Sequence, residues 1–453
     1  MGSQKLCWVV CLFVVGTNLR AVDRPNIVLM MADDFGYECV RSNGGESYET
    51  PQLDRMAERG MRFENCHVQP ICTPTRVQLM TGIYNVRNYT RFGELDPKAT
   101  TFGNLLSGAG YATGICGKWQ LGHDEGLPEH FGFHESCLWQ HTRRPARYAN
   151  PGLEYNGEPR DFSNGEYGPE LVNDWALDFI DRHRGGPFFL YYPMILTHDP
   201  FQPTPDSDDW DPKAAGEKVN RNPSHFADMT AFMDRMVGRV LEKLDALEIG
   251  DDTLVIFLGD NGTSVAIESQ FQGEVYGGGK GTRMARGTHV PLIVRWPAKV
   301  AARQVCRDLI NSTDFLPTLC QAAGVEVPGG LQIDGHSFLP QLQGEAGRSR
   351  EWTYCWYARN GGAEAEFEYA MSLGHKLYRD GSFYDLKADP FETTPLPMDV
   401  LATDQAAAAQ MLSGVLEQFA DARPEHLRVK FPPVKIPSQM KSFKKKTSIP
   451  GAE

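Results

Sequence analysis

The sequence predicts an α/β fold around a large, mostly parallel sheet, followed by a small C-terminal α+β subdomain containing an antiparallel sheet. Three observations predict it. Asn26–Met31 (NIVLMM), Phe188–Tyr192 (FFLYY), Thr253–Leu258 (TLVIFL) and Pro291–Trp296 (PLIVRW) are apolar without period-two alternation, as strands covered on both faces are. Between the second and third, Phe226, Met229, Met233, Met236, Val240 and Leu244 recur at helical spacing, and alternating strands and helices build parallel layers. Beyond residue 345 the segments Trp352–Trp356, Glu368–Ser372, His375–Tyr378 and Ser382–Leu386 are short and separated by turns, and a helix follows around Ala406–Ala420.

The size agrees with this plan. A chain of 453 residues with 41% hydrophobic content can bury a large core, and 23% charged residues exclude a wholly disordered chain. The net charge of −13 argues against a nucleic-acid partner, though a local cationic pocket for a small anion is compatible with it. Ten cysteines are too few for a disulfide scaffold.

In chain order, Lys5 precedes the apolar stretch Leu6–Gly16, whose eleven residues fall short of the roughly 20 that span a bilayer. With the small residue of Leu19-x-Ala21 near its end, this stretch reads as an export signal over residues 1–22; a buried first strand is the alternative. A main α/β domain is expected over 23–345, the α+β subdomain over 346–427, and a Pro- and Lys-rich tail over 428–453. That tail reads as solvated, or as a dock for an anionic partner. Thr50 and Pro51 read as the N-cap and first residue of a short helix.

Three constellations could carry chemistry. Asp33-Asp34 ends the first strand, and Asp260-Asn261 ends the Thr253–Leu258 strand. Each alone also reads as an ordinary turn, but hard oxygen donors at the ends of two buried strands suit Ca²⁺ or Mg²⁺. The third is Cys72-Thr73-Pro74-Thr75-Arg76. Pro74 belongs in a first helical turn, which puts Cys72 at a helix N-terminus that favours an anion, with Arg76 one turn on. A buried structural cysteine and a reactive thiol fit these residues equally.

CTPTRVQLMTG resembles the motif of the type I sulfatases, Cys/Ser-x-Pro-x-Arg followed by x-x-Leu-x-Thr-Gly. Further matches follow in the family's order: ADDFG, Gly117-Lys118-Trp119, Thr197-His198-Asp199-Pro200-Phe201, Asp260-Asn261-Gly262, Gly278-Gly279-Lys280-Gly281-Thr282 and Asp334-Gly335-x-Ser337-Phe338. The resemblance covers roughly residues 25–395 and implies an alkaline-phosphatase-like α/β sandwich. It implies that Cys72 is oxidised by a formylglycine-generating maturation enzyme to formylglycine (3-oxoalanine), whose hydrate is the nucleophile. It further implies that Asp33, Asp34, Asp260, Asn261 and the modified Cys72 hold Ca²⁺, with Mg²⁺ possible on ligand type, and that Arg76 steadies the diol. Lys118 and Lys280 would bind sulfate oxygens, and His198 would protonate the leaving group.

Two departures stand out. The family's Gly-Lys-Trp-His-Leu-Gly is here Gly117-Lys118-Trp119-Gln120-Leu121-Gly122, so a residue that cannot take a proton replaces the histidine assisting sulfate release; His123, a metal-linked carboxylate or water is left for that role. Ala285-Arg286-Gly287-Thr288-His289 stands where relatives often have Glu-Gly-Gly-x-Arg. The polar, aromatic and basic stretch holding Trp139, His141, Arg143 and Arg144 is the expected grip on a sulfated carbohydrate, a solvated loop being equally compatible. The function expected is sulfate ester hydrolysis by an exported enzyme. The alternatives are a phosphonate monoester or phosphodiester hydrolase on the same scaffold, and a noncatalytic glycan-binding relative.

Overall fold

The structure is a computed structural model, and it describes residues 24–214 and 222–434. The expected export signal and most of the basic tail lie outside the described residues. At the beginning of that tail, Lys430 bridges to Gly361 and the Pro432 carbonyl accepts from Arg91 at 2.9 Å, while Arg428, Val429, Lys430, Pro432 and Pro433 are exposed. Among the described residues no helix is long and apolar enough to cross a membrane, and eight cysteines are free thiols.

Among the described residues twelve strands precede the C-terminal sheet: β1 (Asn26–Ala32), β2 (Met61–His67), β3 (Ala112–Lys118), β4 (Glu135–Trp139), β5 (Gly152–Tyr155), β6 (Glu158–Asp161), β7 (Phe188–Pro193), β8 (Thr253–Gly259), β9 (Glu268–Phe271), β10 (Glu274–Gly277), β11 (His289–Arg295) and β12 (Gln304–Asn311). Ten of them form one sheet in the order β12-β2-β11-β8-β1-β7-β3-β4-β5-β6, and β9 with β10 makes a separate hairpin. Five of its nine neighbour pairs are parallel, because β11 and the β5–β6 hairpin run against their neighbours. The central strands are buried from end to end, which explains their unbroken apolar runs.

Each face of the sheet carries its own core. Ile27, Leu29 and Met31 of β1 pack with residues of the helices Cys72–Thr81, Phe102–Gly108, Phe315–Ala322 and Thr403–Phe419. Val28, Met30 and Ala32 pack with those of Pro51–Glu58, Gly168–His183 and His225–Ala246. The Pro51–Glu58 helix starts where the sequence places it, but Thr50 caps by position alone: its hydroxyl accepts from the Arg41 amide at 3.0 Å instead.

The second sheet is antiparallel, β13 (Thr353–Tyr357), β14 (Phe367–Met371), β15 (His375–Tyr378) and β16 (Phe383–Asp385). Its connection to the main body contains a buried ion pair, Arg350 with Asp314, and Arg350 also donates to the Tyr84 hydroxyl at 2.9 Å.

One departure from the sulfatase pattern acquires a structural role here. His289 stacks on Tyr37, with ring centroids 4.1 Å apart, and on His67 at 4.9 Å. Its Nε2 donates to the Glu64 carbonyl at 2.9 Å. Burial pushes His289 down to about 4, and burial with the neighbouring His289 and Lys376 holds His67 well below its ordinary value. In the unfolded chain both would take up a proton near pH 6.5. Folding stability from these rings is therefore fully present above about pH 6.5 and is lost as pH falls toward about 4, by about 3 kcal/mol for His289 alone. Denaturant unfolding at pH 7.5 and 4.5 checks this: His289→Phe, which keeps a stacked ring without a titrating group, should show a smaller loss between the two values by about 2 kcal/mol.

Candidate active site

The site lies where neighbouring strands end at one edge of the sheet. β8, β1, β7 and β3 are adjacent and parallel, and their carboxyl ends deliver Asp260-Asn261, Asp33-Asp34, the His198 turn and Lys118 respectively. β11 is antiparallel to both β8 and β2, so β2 runs parallel to β8 and leads from the same edge into Cys72. Open α/β sheets place ligands at this edge, because chain leaving each strand is released there from the hydrogen-bonded ladder.

Asp33, Asp34, Asp260 and Asn261 are all fully buried. The Asp34 amide donates to Asp260 Oδ1 at 3.0 Å, and Asn261 Nδ2 donates to Asp34 Oδ1 at 2.9 Å. Asp34 has φ 65°, a left-handed conformation uncommon outside glycine, which turns its carboxylate into the cluster. Asn261 Oδ1 is buried with no hydrogen-bond partner. An orphaned amide oxygen beside three carboxylates is a donor set that fits a hard divalent cation.

Cationic side chains hold these carboxylates. Lys118 Nζ donates to both oxygens of Asp33 at 2.9 and 2.8 Å, Arg76 donates to Asp260 at 3.0 Å, and Lys280 donates to Asp34 at 2.6 Å. Burial works against ionisation of Asp33, but Lys118, then His198, Arg76 and Lys280, hold it well below the usual carboxylate range. Burial and the neighbouring Asp33 push Asp260 up to about 6. Lys118 reaches its position because Gly117 has φ +114° and lies against β7; a Cβ there would sit 1.9 Å from the Pro193 carbonyl oxygen.

Cys72 is the first residue of the helix Cys72–Thr81 and is 1% exposed. Its Sγ and oxygens of Asp33 and Asp260 lie within 4.8 Å of one another. Burial pushes its thiol up, despite Lys118, so the unmodified side chain is a neutral thiol rather than a thiolate. Arg76 follows one turn along the same helix. Its fork is already engaged, NH1 on the Lys118 carbonyl and NH2 on Asp260, with Nε buried and unpartnered.

His198 faces the same cluster from the turn after β7. Its Nε2 lies 2.9 Å from Lys280 Nζ and 3.8 Å from Asp34 Oδ2. Its Nδ1 lies 2.6 Å from the Asp199 carbonyl and 2.9 Å from the Asp199 carboxylate, two acceptors that favour a proton on Nδ1. The hydrogen bond from His198 in turn holds Asp199 below its ordinary value. Arg147 was not singled out from the sequence, yet it is buried, lies 3.1 Å from His198 Nδ1 and covers the Trp139 ring at 4.1 Å. Nothing in its local pattern marks it: it meets His198 only because the chain after β4 folds back over the edge of the sheet.

Gln120 and His123 follow Lys118 in the turn after β3. Gln120 takes φ 56° and buries its Oε1 without a partner. His123 Nδ1 donates to the His141 carbonyl, so the lone pair resides on Nε2, which is buried and also unpartnered.

The expected carbohydrate grip is corrected at two positions. Trp139 is the last residue of β4, fully buried, its indole N–H donating to the Pro145 carbonyl at 3.1 Å. His141 is also buried, 3.4 Å from the buried carboxylate of Glu154. Trp139 belongs to the core because it still lies on β4, and His141, just past the strand's end, is buried between the Asp124 carbonyl and Glu154. Arg143 is tied to Asp161 at 2.7 Å across the β5–β6 hairpin, and only Arg144 of the four is exposed.

Comparison with known proteins bears on what this edge is for. Residues 25–325 match the model of the Sulfatase family, and residues 282–418 match that of the N-sulphoglucosamine sulphohydrolase C-terminal region. The chain is 32% identical over 354 residues to N-acetylgalactosamine-6-sulfatase of Homo sapiens, a match covering 70% of this chain and 66% of that protein. It is 32% identical over 397 residues to arylsulfatase A of Bos taurus, covering 78% and 74% of the two. Its fold is similar to that of BT4656, solved in complex with its substrate D-glucosamine-2-N,6-O-disulfate, with a TM-score of 0.72 at 24% identity over 88% of this chain and 98% of that one. The extent of the family match and of these identities establishes that the chain belongs to the sulfatase family, within the alkaline phosphatase superfamily.

Proposed function

We propose that the chain hydrolyses a sulfate ester on a carbohydrate, using a formylglycine made from Cys72 and a divalent cation, Ca²⁺ or Mg²⁺, held by Asp33, Asp34, Asp260 and Asn261. The observation that carries this reading is the placement of Cys72, buried at a helix N-terminus within 4.8 Å of two carboxylates and surrounded by Arg76, Lys118 and Lys280. No cluster so rich in opposing charges is needed to bury a structural thiol. The hydrated aldehyde supplies one hydroxyl able to attack sulfur and a second able to release sulfate, and the cation supplies charge stabilisation.

The chain's own residues do the remaining work. Lys118 and Lys280 offer ammonium groups to sulfate oxygens, and the helix N-terminus adds partial positive charge. With Nδ1–H held by Asp199, His198 in its doubly protonated form would deliver the proton on Nε2 to the leaving oxygen. Gln120 cannot serve as a base, so His123, whose Nδ1 is committed and whose Nε2 is not, takes that role in this reading. The carbohydrate assignment draws on a relative named for N-acetylgalactosamine 6-sulfate and a structural neighbour holding a sulfated glucosamine. Export is supported by the Leu6–Gly16 stretch. Because Cys72 is 1% exposed, a formylglycine-generating enzyme would have to reach it before this helix packs.

The peptide Phe63–Arg76 of protein made with the maturation enzyme should carry an aldehyde in place of the Cys72 thiol by mass; a persistent thiol would point to a noncatalytic binding protein. Cys72→Ala should lower kcat about a thousand-fold or more on a sulfated sugar, and phosphodiester turnover exceeding sulfate turnover would favour the phosphodiesterase alternative. His198→Ala should cost about 100-fold on a sugar sulfate but far less on a nitrophenyl sulfate, whose leaving group needs no proton. Chelation should abolish turnover and lower the melting temperature, both restored by Ca²⁺ or Mg²⁺. If His123→Ala leaves turnover and its pH profile unchanged, His123 is not the base.

A further inference from the structure

The loop that carries Lys280 is held from two sides. On the side of the main sheet, the Lys280 amide donates to the Thr263 carbonyl at 2.9 Å and the Gly281 amide to the Pro70 carbonyl at 2.8 Å. On the other side the contacts come from the C-terminal subdomain. Lys376 of β15, fully buried, donates through Nζ to the Arg283 carbonyl at 2.5 Å and to Glu392 Oε1 at 3.2 Å. The same Glu392 oxygen accepts from the Ala285 amide at 2.5 Å. The Tyr378 hydroxyl lies between the Glu392 carboxylate and the Arg283 carbonyl, 3.0 Å from the latter. Lys376 Nζ is enclosed by the rings of Tyr369, at 3.9 Å, and Tyr378, at 4.8 Å.

We infer that the buried Lys376–Glu392 pair is a latch through which the C-terminal subdomain positions Lys280 in the active site. The inference rests on the sulfatase reading for what Lys280 does, though not for how its loop is held. The pair grips a carbonyl and an amide three and five residues beyond Lys280, and both bonds are charge-assisted. The alternative, that it serves only to stabilise the subdomain, is poorly matched to its energetics. Desolvation of two buried charges commonly offsets their attraction, and an apolar pair of similar volume would hold the two surfaces as well. Burial in fact pushes Lys376 down to about 8 despite Glu392 beside it. What an apolar pair could not do is fix two polar backbone groups of a glycine-rich loop in place. Lys376 and Glu392 are positioning residues: neither touches the carboxylate cluster, and they act through the Arg283–Ala285 backbone.

The test uses the full-length protein with Lys376→Met and, as a milder variant that retains an acceptor for Ala285, Glu392→Gln. Hydrogen exchange over residues 278–288 should speed up about ten-fold or more in Lys376→Met and less in Glu392→Gln, while amides of β1 and β8 stay protected. Inorganic sulfate, titrated as the probe, should bind about ten-fold more weakly, and KM for a sulfate ester should rise more than kcat falls. Arg350→Met serves as the control, since it breaks a buried ion pair of the same subdomain junction that does not contact the Lys280 loop. Unchanged exchange across 278–288 in both variants overturns the latch. So does an equal loss of sulfate affinity in the control at matched stability. Wild-type protein that binds no sulfate would sink the catalytic reading instead, and the exchange data would then decide the latch alone.

Discussion

Three fully buried carboxylates meeting at one edge of the sheet are the constraint on which the rest of this molecule depends. Two unit charges about 4 Å apart repel by about 4 kcal/mol at the effective dielectric of a protein interior near its surface, so Asp33, Asp34 and Asp260 cannot share a dry pocket uncompensated. The fold answers with one cation for each: Lys118 on Asp33, Lys280 on Asp34, Arg76 on Asp260. Each cation arrives from a different element. The strand order, the left-handed turn at Asp34 and the close approach of Gly117 to β7 are all geometry that brings those groups together. A divalent cation fits the same logic, adding positive charge where the carboxylates and the unpartnered Asn261 oxygen converge.

The same arrangement sets the state of the unmodified Cys72 thiol. Its burial favours the neutral thiol, and the nearest cations are engaged with carboxylates. Reactive thiols are partly exposed and electropositive in their surroundings, whereas this one is enclosed within a balanced set of charges. His198 faces the same cluster with one nitrogen beside Asp199 and the other turned toward Lys280.

The C-terminal subdomain is more than a cover for one face of the main sheet. Its helix Thr403–Phe419 contributes to the core on that face, while β15 and Glu392 reach the backbone beside Lys280. The integrity of the subdomain and the geometry of the site are therefore linked by polar contacts, not only by shared apolar area. His289, at the start of the strand that follows this loop, belongs to the same region and stacks between Tyr37 and His67.

Much of this was legible in the sequence, for physical reasons. A strand covered on both faces must be apolar throughout, so β1, β7 and β8 announce themselves, and the polar residues that end them mark the edge of the sheet. Proline in a first helical turn locates the start of the Cys72–Thr81 helix and thereby the setting of Cys72. These features follow from local covalent geometry and solvation, which a linear pattern records. What the pattern does not record is direction and partnership. Trp139 and His141 look like a polar grip but face inward, because Trp139 still lies on β4 and Glu154 of the next strand receives His141. Arg147 reaches His198 across 51 residues, and Lys376 reaches Arg283 across 93, by paths no periodicity encodes. The sequence by itself determined the buried central strands, the start of the Cys72–Thr81 helix and the residue types that gather at the strand ends. The tertiary structure alone decided which cation meets which carboxylate and which aromatic is buried, because those outcomes depend on strand order and on desolvation that exist only once the chain has packed.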